Sequence, residues 1–223
     1  MSTLAKAGRL LDLFTADVPE WGVSEVAASL GIPRSTAHSL LTGLTEMGLL
    51  QLRRRGRYEL GWRAFELGEL HRSSSALVSA AHPVLESTAR RLGETVCLSV
   101  LLRDRVLFVA KAVGDGPLSV LGPRIGTRYE AHAFPSGRLL LAARAHDEAD
   151  RRLEGILPSG VSFDRGEFLQ DVGVAATGVR GPGGRVVAAL SISAPLRRFA
   201  RHEPALAVAV RSDAARVAER LRE

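Results

Sequence analysis

Between Val23 and Met47 two amphipathic stretches are separated only by Gly31 and Ile32, and this spacing constrains the fold more than any other feature. Val26, Ala27 and Leu30 recur at helical spacing, and Gly31 then stops the helix. Pro33 suits the first turn of a second helix, on which Ala37, Leu40, Leu41, Leu44 and Met47 form one apolar stripe. Gly48 ends it as a residue just past a helix would. A helix, a tight glycine-bearing turn and a second helix are the helix-turn-helix plan. Gly22 can cap the first of these helices, with Glu25 near the positive end of its dipole.

The flanks extend the pattern. Leu4, Ala7, Leu10, Leu11 and Phe14 predict a preceding helix, broken by Pro19 and Gly22. After Gly48, the apolar pieces Leu49–Leu52 and Tyr58–Leu60 read as a hairpin whose tip is Arg53-Arg54-Arg55-Gly56-Arg57. The expected organisation is a winged helix-turn-helix over 1–62 and a linker helix over 63–77, loosened by Ser73-Ser74-Ser75. An α+β domain over 78–223 follows.

In that last segment a helix is expected from about Ala80 to Leu92, then strands at Val96–Leu102, Val106–Ala112 and Leu118–Leu121. Helices follow at Ser136–Ala145 and Asp147–Leu157. Paired strands are expected at Val172–Val179 and Val186–Ser193, and a last helix from about His202. Strands in hairpins with helices at both ends suggest an antiparallel sheet flanked by helices.

The helix after Gly31 carries a second message. Opposite its apolar stripe lie Ser35, His38, Ser39 and Thr42, short polar side chains near the helix start. A helix entering the DNA major groove needs such an N-terminal end. Arg34 can reach phosphate. A solvated polar face is the plain alternative, and the hairpin weighs against it. Four arginines in five residues would repel one another on a bare turn but serve opposite a phosphate backbone. Residues 1–62 carry seven bases and six acids, so placement of charge and not its total supports the reading. The DNA-binding candidates are therefore Arg34, Ser35, Thr36, His38, Ser39, Thr42, Arg53, Arg54, Arg55 and Arg57. Over the whole chain the net charge of +6 agrees with a polyanionic partner.

Several strings resemble the IclR family of bacterial transcriptional regulators. They are Gly22–Ala27, Gly31–His38, Gly48–Leu50, Gly56–Gly61, Ile125–His132, Ser136–Ala142 and Val186–Pro195. The resemblance spans nearly the whole chain and implies a winged helix-turn-helix, a linker helix and a GAF/PAS-like effector domain. It also implies homodimers made through the N-terminal domains, often paired into homotetramers. The partners would be a double-stranded DNA operator and a small-molecule effector, a carboxylic acid or another catabolic metabolite; repression is the expected sign. Ser39 departs from the family, which usually has arginine there. Carried over by motif, the effector site would be lined by Leu118, Leu121, Pro135, Ser136, Asp164, Val174, Ala176, Ser191 and Ser193. A helix N-terminus at Ser136-Gly137 and two serine hydroxyls suit an anion. A polar strand face turned to solvent is the alternative for Ser191 and Ser193.

Other classes find less support. None of the six histidines has a partner at metal-ligand spacing. No Gly-x-Ser-x-Gly elbow occurs, and Gly181-Pro182-Gly183-Gly184 lacks the Lys-Ser/Thr of a phosphate loop. Cys97 stands alone, which excludes an internal disulfide and a cysteine zinc cage. No catalytic residue, metal or cofactor is expected. A small-molecule-processing enzyme, or a winged-helix module for protein contacts without specific DNA binding, remain the rival readings. No apolar run approaches the roughly 18–20 residues that span a bilayer, and no secretory pattern occurs, so a cytoplasmic protein is expected.

Overall fold

The computed structural model describes residues 2–116, 122–144 and 160–223. The chain divides into two compact units, Met1–Ser74 and Ser75–Glu223.

In the first unit, α1 (Thr3–Leu11), α2 (Val23–Leu30) and α3 (Arg34–Glu46) pack around Leu10, Val26, Leu41 and Leu50, all at most 1% exposed. Gly31 takes the left-handed conformation (φ +63°) that lets the chain leave α2 and enter α3 two residues later. Gly22 caps α2 as expected, and its N–H donates to Glu25 Oε2 at 2.8 Å, the half of a capping box that the glutamate supplies. Strand β1 (Trp21–Gly22) precedes α2; β2 (Leu50–Leu52) and β3 (Arg57–Leu60) follow α3, in the antiparallel order β1-β3-β2. The two-residue β1 was not expected; it adds a third strand to the hairpin. Helix α4 (Trp62–Ser74) buries none of its residues and leaves Trp62, Phe65 and Leu70 exposed.

The helicity expected from Arg63 to Leu77 divides at Ser75. Its hydroxyl accepts from the Val78 N–H and caps a new helix, α5 (Ala76–Leu92), which starts before the expected Ala80. There follow β4 (Thr95–Leu102), β5 (Arg105–Ala112), β6 (Arg128–Glu130), α6 (Pro135–Arg144), β7 (Val161–Arg165), β8 (Val172–Arg180), β9 (Val186–Pro195) and α7 (Leu196–Arg220). Strands β6 and β7 were not expected, and α7 starts before His202 because Pro195 ends the strand and opens the helix. The expected strand at Leu118–Leu121 and helix at Asp147–Leu157 lie outside the described residues.

The six strands form one antiparallel sheet in the order β6-β5-β4-β9-β8-β7. Strand alternation divides its faces. Val96, Leu98, Ala175, Leu190 and Ile192 pack against α5 and α7. Cys97, Val106, Phe108 and Ala189 face the other way, toward α6. Gly173 admits α7 closely, since a Cβ there would stand 2.2 Å from the Phe199 ring. A buried carboxylate fastens the two helices. Asp213 on α7 accepts from the Thr88 hydroxyl at 2.8 Å and from Arg91 at 2.9 Å, both on α5, and from Arg216 at 3.0 Å.

Candidate nucleic-acid interface and effector cavity

Helix α3 buries Ala37, Leu40, Leu41 and Leu44 and leaves Arg34, Ser35, His38 and Ser39 exposed; Thr36 and Thr42 are half-buried. The Ser39 hydroxyl donates to the Ser35 carbonyl at 3.0 Å. Its proton is spent on the helix backbone, which leaves it lone pairs to offer an incoming donor.

The sequence sets four arginines on the hairpin as equals; the structure divides them. Arg57 donates to Glu25 at 2.7 Å and to the Glu20 carbonyl at 2.8 Å, and so ties β3 to the start of α2. The Glu25 carboxyl is held below its usual range, first by the Gly22 N–H and then by Arg57. Arg53 is bound to Glu59 at 2.6 Å. Arg54 and Arg55 stay exposed at the tip, where Arg55 (φ +62°) and Gly56 (φ +71°) turn the chain through the left-handed region. These two guanidinium groups have no carboxylate partner among the described residues. Sequence reasoning had no means of pairing Arg57 with Glu20 and Glu25, which lie far from the tip along the chain.

In the second unit, a cavity of about 110 Å³ lies on the α6 face of the sheet. Of the residues expected to line it, Pro135, Ser136, Asp164, Val174, Ser191 and Ser193 do so. Ala176 pairs with Ser191 and is fully buried, one step along β8 from the lining. Leu118 and Leu121 lie outside the described residues. Ser191 and Ser193 are only 4% and 8% exposed, so their strand face is turned to the cavity and not to solvent. Pro135 and Ser136 open α6, whose first-turn N–H groups have no helical acceptor.

Asp164 lines the wall with its charge already engaged. Oδ1 accepts from the Gly166 N–H at 2.9 Å and the Glu167 N–H at 2.7 Å, and Oδ2 from the Phe168 N–H at 3.3 Å. It shapes the loop that brings Phe168 and Leu169 to the cavity.

Four of the lining residues are aromatic, which the sequence reading missed. Phe108, Tyr129, Phe134 and Phe168 form a chain of rings with centroids 5.7, 5.5, 5.1 and 4.4 Å apart for the pairs Phe108–Tyr129, Phe108–Phe134, Tyr129–Phe134 and Phe134–Phe168. The chain has only seven Phe and two Tyr, so four in one place is a concentration. The clue was the pair Tyr129 and Phe134 beside the start of α6.

Cys97 lies opposite Ser191 on the neighbouring strand and is 1% exposed. Burial pushes its thiol up to about 12, with Lys111 partly opposing, so it stays protonated. Among the described residues no cluster of three His, Cys, Asp or Glu could hold a metal. No described helix is long and apolar enough to cross a membrane.

A winged helix-turn-helix with open arginines, joined to a unit with a lined cavity, defines a ligand-responsive DNA-binding transcriptional regulator. The sequence profile of the IclR helix-turn-helix domain matches residues 3–54, and that of the bacterial transcriptional regulator IclR C-terminal domain matches residues 71–158 and 150–219. The chain belongs to the IclR family of bacterial transcriptional regulators, whose C-terminal domain binds the effector. It is 28% identical to the HTH-type transcriptional regulator XynR of Escherichia coli (strain K12), covering 86% of each chain. It is 27% identical to the transcriptional repressor IclR of the same organism, over 69% of this chain and 57% of that one. An IclR homolog from Microbacterium hydrocarbonoxydans, solved in complex with 4-hydroxybenzoate, superposes with a TM-score of 0.81 at 26% identity over 99% of both chains.

Proposed function

We propose that this regulator represses its target genes and that an aromatic carboxylic acid controls its grip on the operator. One observation carries the effector class: the cavity has an aromatic wall and a polar end made by Ser136, Ser191, Ser193 and the start of α6. Aromatic rings stack edge-to-face on a flat guest. Hydroxyls and unpaired helix N–H groups accept an anionic one. The Microbacterium hydrocarbonoxydans homolog, bound to 4-hydroxybenzoate, supports the class. The Escherichia coli repressor supports the sign.

At the operator, Arg34, Ser35, Thr36, His38, Ser39 and Thr42 read the major groove from α3, and Arg54 and Arg55 hold phosphate from the wing. Arg53 and Arg57 keep the wing in shape. The exposed Trp62, Phe65 and Leu70 of α4 are covered by a second copy of the chain, since an apolar surface of this kind marks an interaction site. The protein acts in the cytoplasm, beside the genome.

The test is a titration of the promoter region next to the gene by gel shift, with and without 4-hydroxybenzoate and related acids. An acid of this class should shift the midpoint at least tenfold. A panel of aromatic acids that leaves every midpoint unchanged, while aliphatic acids move it, rejects the effector class.

A further inference from the structure

Registers across the sheet bring one cation to the cavity. Lys111 on β5 lies opposite Cys97 on β4, and Cys97 lies opposite Ser191 on β9. Side chains directly opposite one another project from the same face, so Lys111 shares the cavity face with Ser191. The backbone of that row spans two strand spacings, about 10 Å, which the lysine stem partly closes. Gly122, at the mouth, supplies an independent fix. A Cβ there would stand 3.5 Å from Lys111 Nζ and 3.6 Å from the Thr95 methyl, and Gly122 itself lines the cavity. Thr95 in turn lies opposite Ser193.

Lys111 is half-buried, and no described carboxylate lies within 4.0 Å of its ammonium. A cation with no ion pair among the described residues, set beside a cavity that contains hydroxyls, is expected to attract an anion. Lysine is also rare here: Lys6 and Lys111 are the only two in a chain with thirty Lys and Arg. A compact ammonium on a flexible stem is a point charge, whereas a guanidinium is a planar fork, so an arginine here would match the role only in part.

We propose that Lys111 is the cationic anchor that selects an anionic effector, reaching the bound carboxylate past Gly122 while Ser191 and Ser193 supply the hydrogen bonds. Position 122 favours glycine, because its φ of +131° strains any side chain. This inference rests on the aromatic-acid reading of the cavity and adds the source of charge selectivity.

The experiment is calorimetric titration of wild type, Lys111→Met and Lys111→Arg with 4-hydroxybenzoate and its neutral amide, 4-hydroxybenzamide. Thermal melting confirms that each variant folds. Wild type should prefer the acid; Lys111→Met should lose about ten- to a hundredfold in acid affinity, the range of a hydrogen bond to a charged group. Its amide affinity should stay unchanged, and Lys111→Arg should recover part of the loss. Acid binding by a folded Lys111→Met at wild-type strength overturns the assignment alone. So does equal affinity of wild type for acid and amide, which requires no variant. If wild type binds neither compound, the aromatic-acid reading falls and this assignment falls with it.

Discussion

Arg57, at the foot of the wing, donates to Glu25 at the start of α2 across 2.7 Å. The same carboxylate accepts the Gly22 N–H that begins the helix. One acid therefore fixes both the helix-turn-helix entry and the angle of the hairpin. The wing arginines should separate into two classes in a binding assay.

Arg54→Ala and Arg55→Ala should each weaken operator binding and reduce the slope of log K against log salt by about 1, as the loss of one phosphate contact does. Arg57→Ala should leave that slope nearly intact and lower the thermal midpoint of the N-terminal unit. Fluorescence anisotropy at several salt concentrations, with melting curves, measures both. A slope change at Arg57 as large as that at Arg55 would assign it to DNA after all.

Cavity serines can be tested apart from Lys111. The double change Ser191→Ala/Ser193→Ala removes two donors from a buried wall, each worth about 1 kcal/mol net. Affinity for an aromatic carboxylate should fall roughly tenfold or more. DNA affinity without effector should hold. Calorimetry for the ligand and a gel shift for the operator read the two effects separately; unchanged ligand affinity would remove both hydroxyls from the site.

Asp213 predicts a purely structural loss. Its Arg91 and Arg216 partners are 52% and 49% exposed on their side chains and can return to water. Thr88 is fully buried and cannot. Asp213→Ala should therefore cost about 2 kcal/mol, set mainly by the stranded hydroxyl and the lost charged hydrogen bonds. Urea unfolding measures it, and Thr88→Val in the same background should recover part of it.

Glu94 provides a pH dependence. Its carboxyl is 2% exposed, and its oxygens have Arg198 Nε at 3.1 Å but no hydrogen bond among the described residues. Burial raises its pKa above the usual carboxylate value, with Arg198 partly opposing. The native state then holds this proton more tightly than the unfolded chain does. Stability from this group is present at low pH and is lost as pH rises from the ordinary carboxylate pKa through the raised one. Glu94→Gln should abolish that loss, so its melting temperature should gain on wild type between pH 4 and pH 7. A constant difference across that range would contradict the sign.

Helix α4 predicts the assembly. Trp62 and Phe65, 74% and 62% exposed with rings 6.2 Å apart, give a second copy a surface to bury. Trp62→Glu/Phe65→Glu should shift the protein toward smaller species in light scattering and weaken operator binding at least tenfold. An unchanged mass would show that the contact lies elsewhere.

The helix-turn-helix was legible because its signals are local: Gly31, Pro33 and a 3.6-residue stripe on α3 each act within a few positions. Strands β1, β6 and β7 were not, since two to five residues carry no periodicity of their own and exist through pairing with Tyr58, Val106 and Ala175. The partition of the wing arginines was hidden for the same reason, with Arg57 and Glu25 separated by 32 positions. In the cavity, Ser191 and Ser193 could be placed by alternation along one strand. The ring cluster could not, because Phe108, Phe134 and Phe168 come from three separate segments that only the folded sheet gathers.

Asp164 alters what the cavity can accept. A buried acid in the wall of a chamber proposed to take an anion should turn that guest away. Here the loop that Asp164 organises aims three amide dipoles back at it, and these oppose its charge. If the proposed anionic effector binds here, the backbone of residues 166–168 is part of what admits it, where no side-chain inventory would look for it.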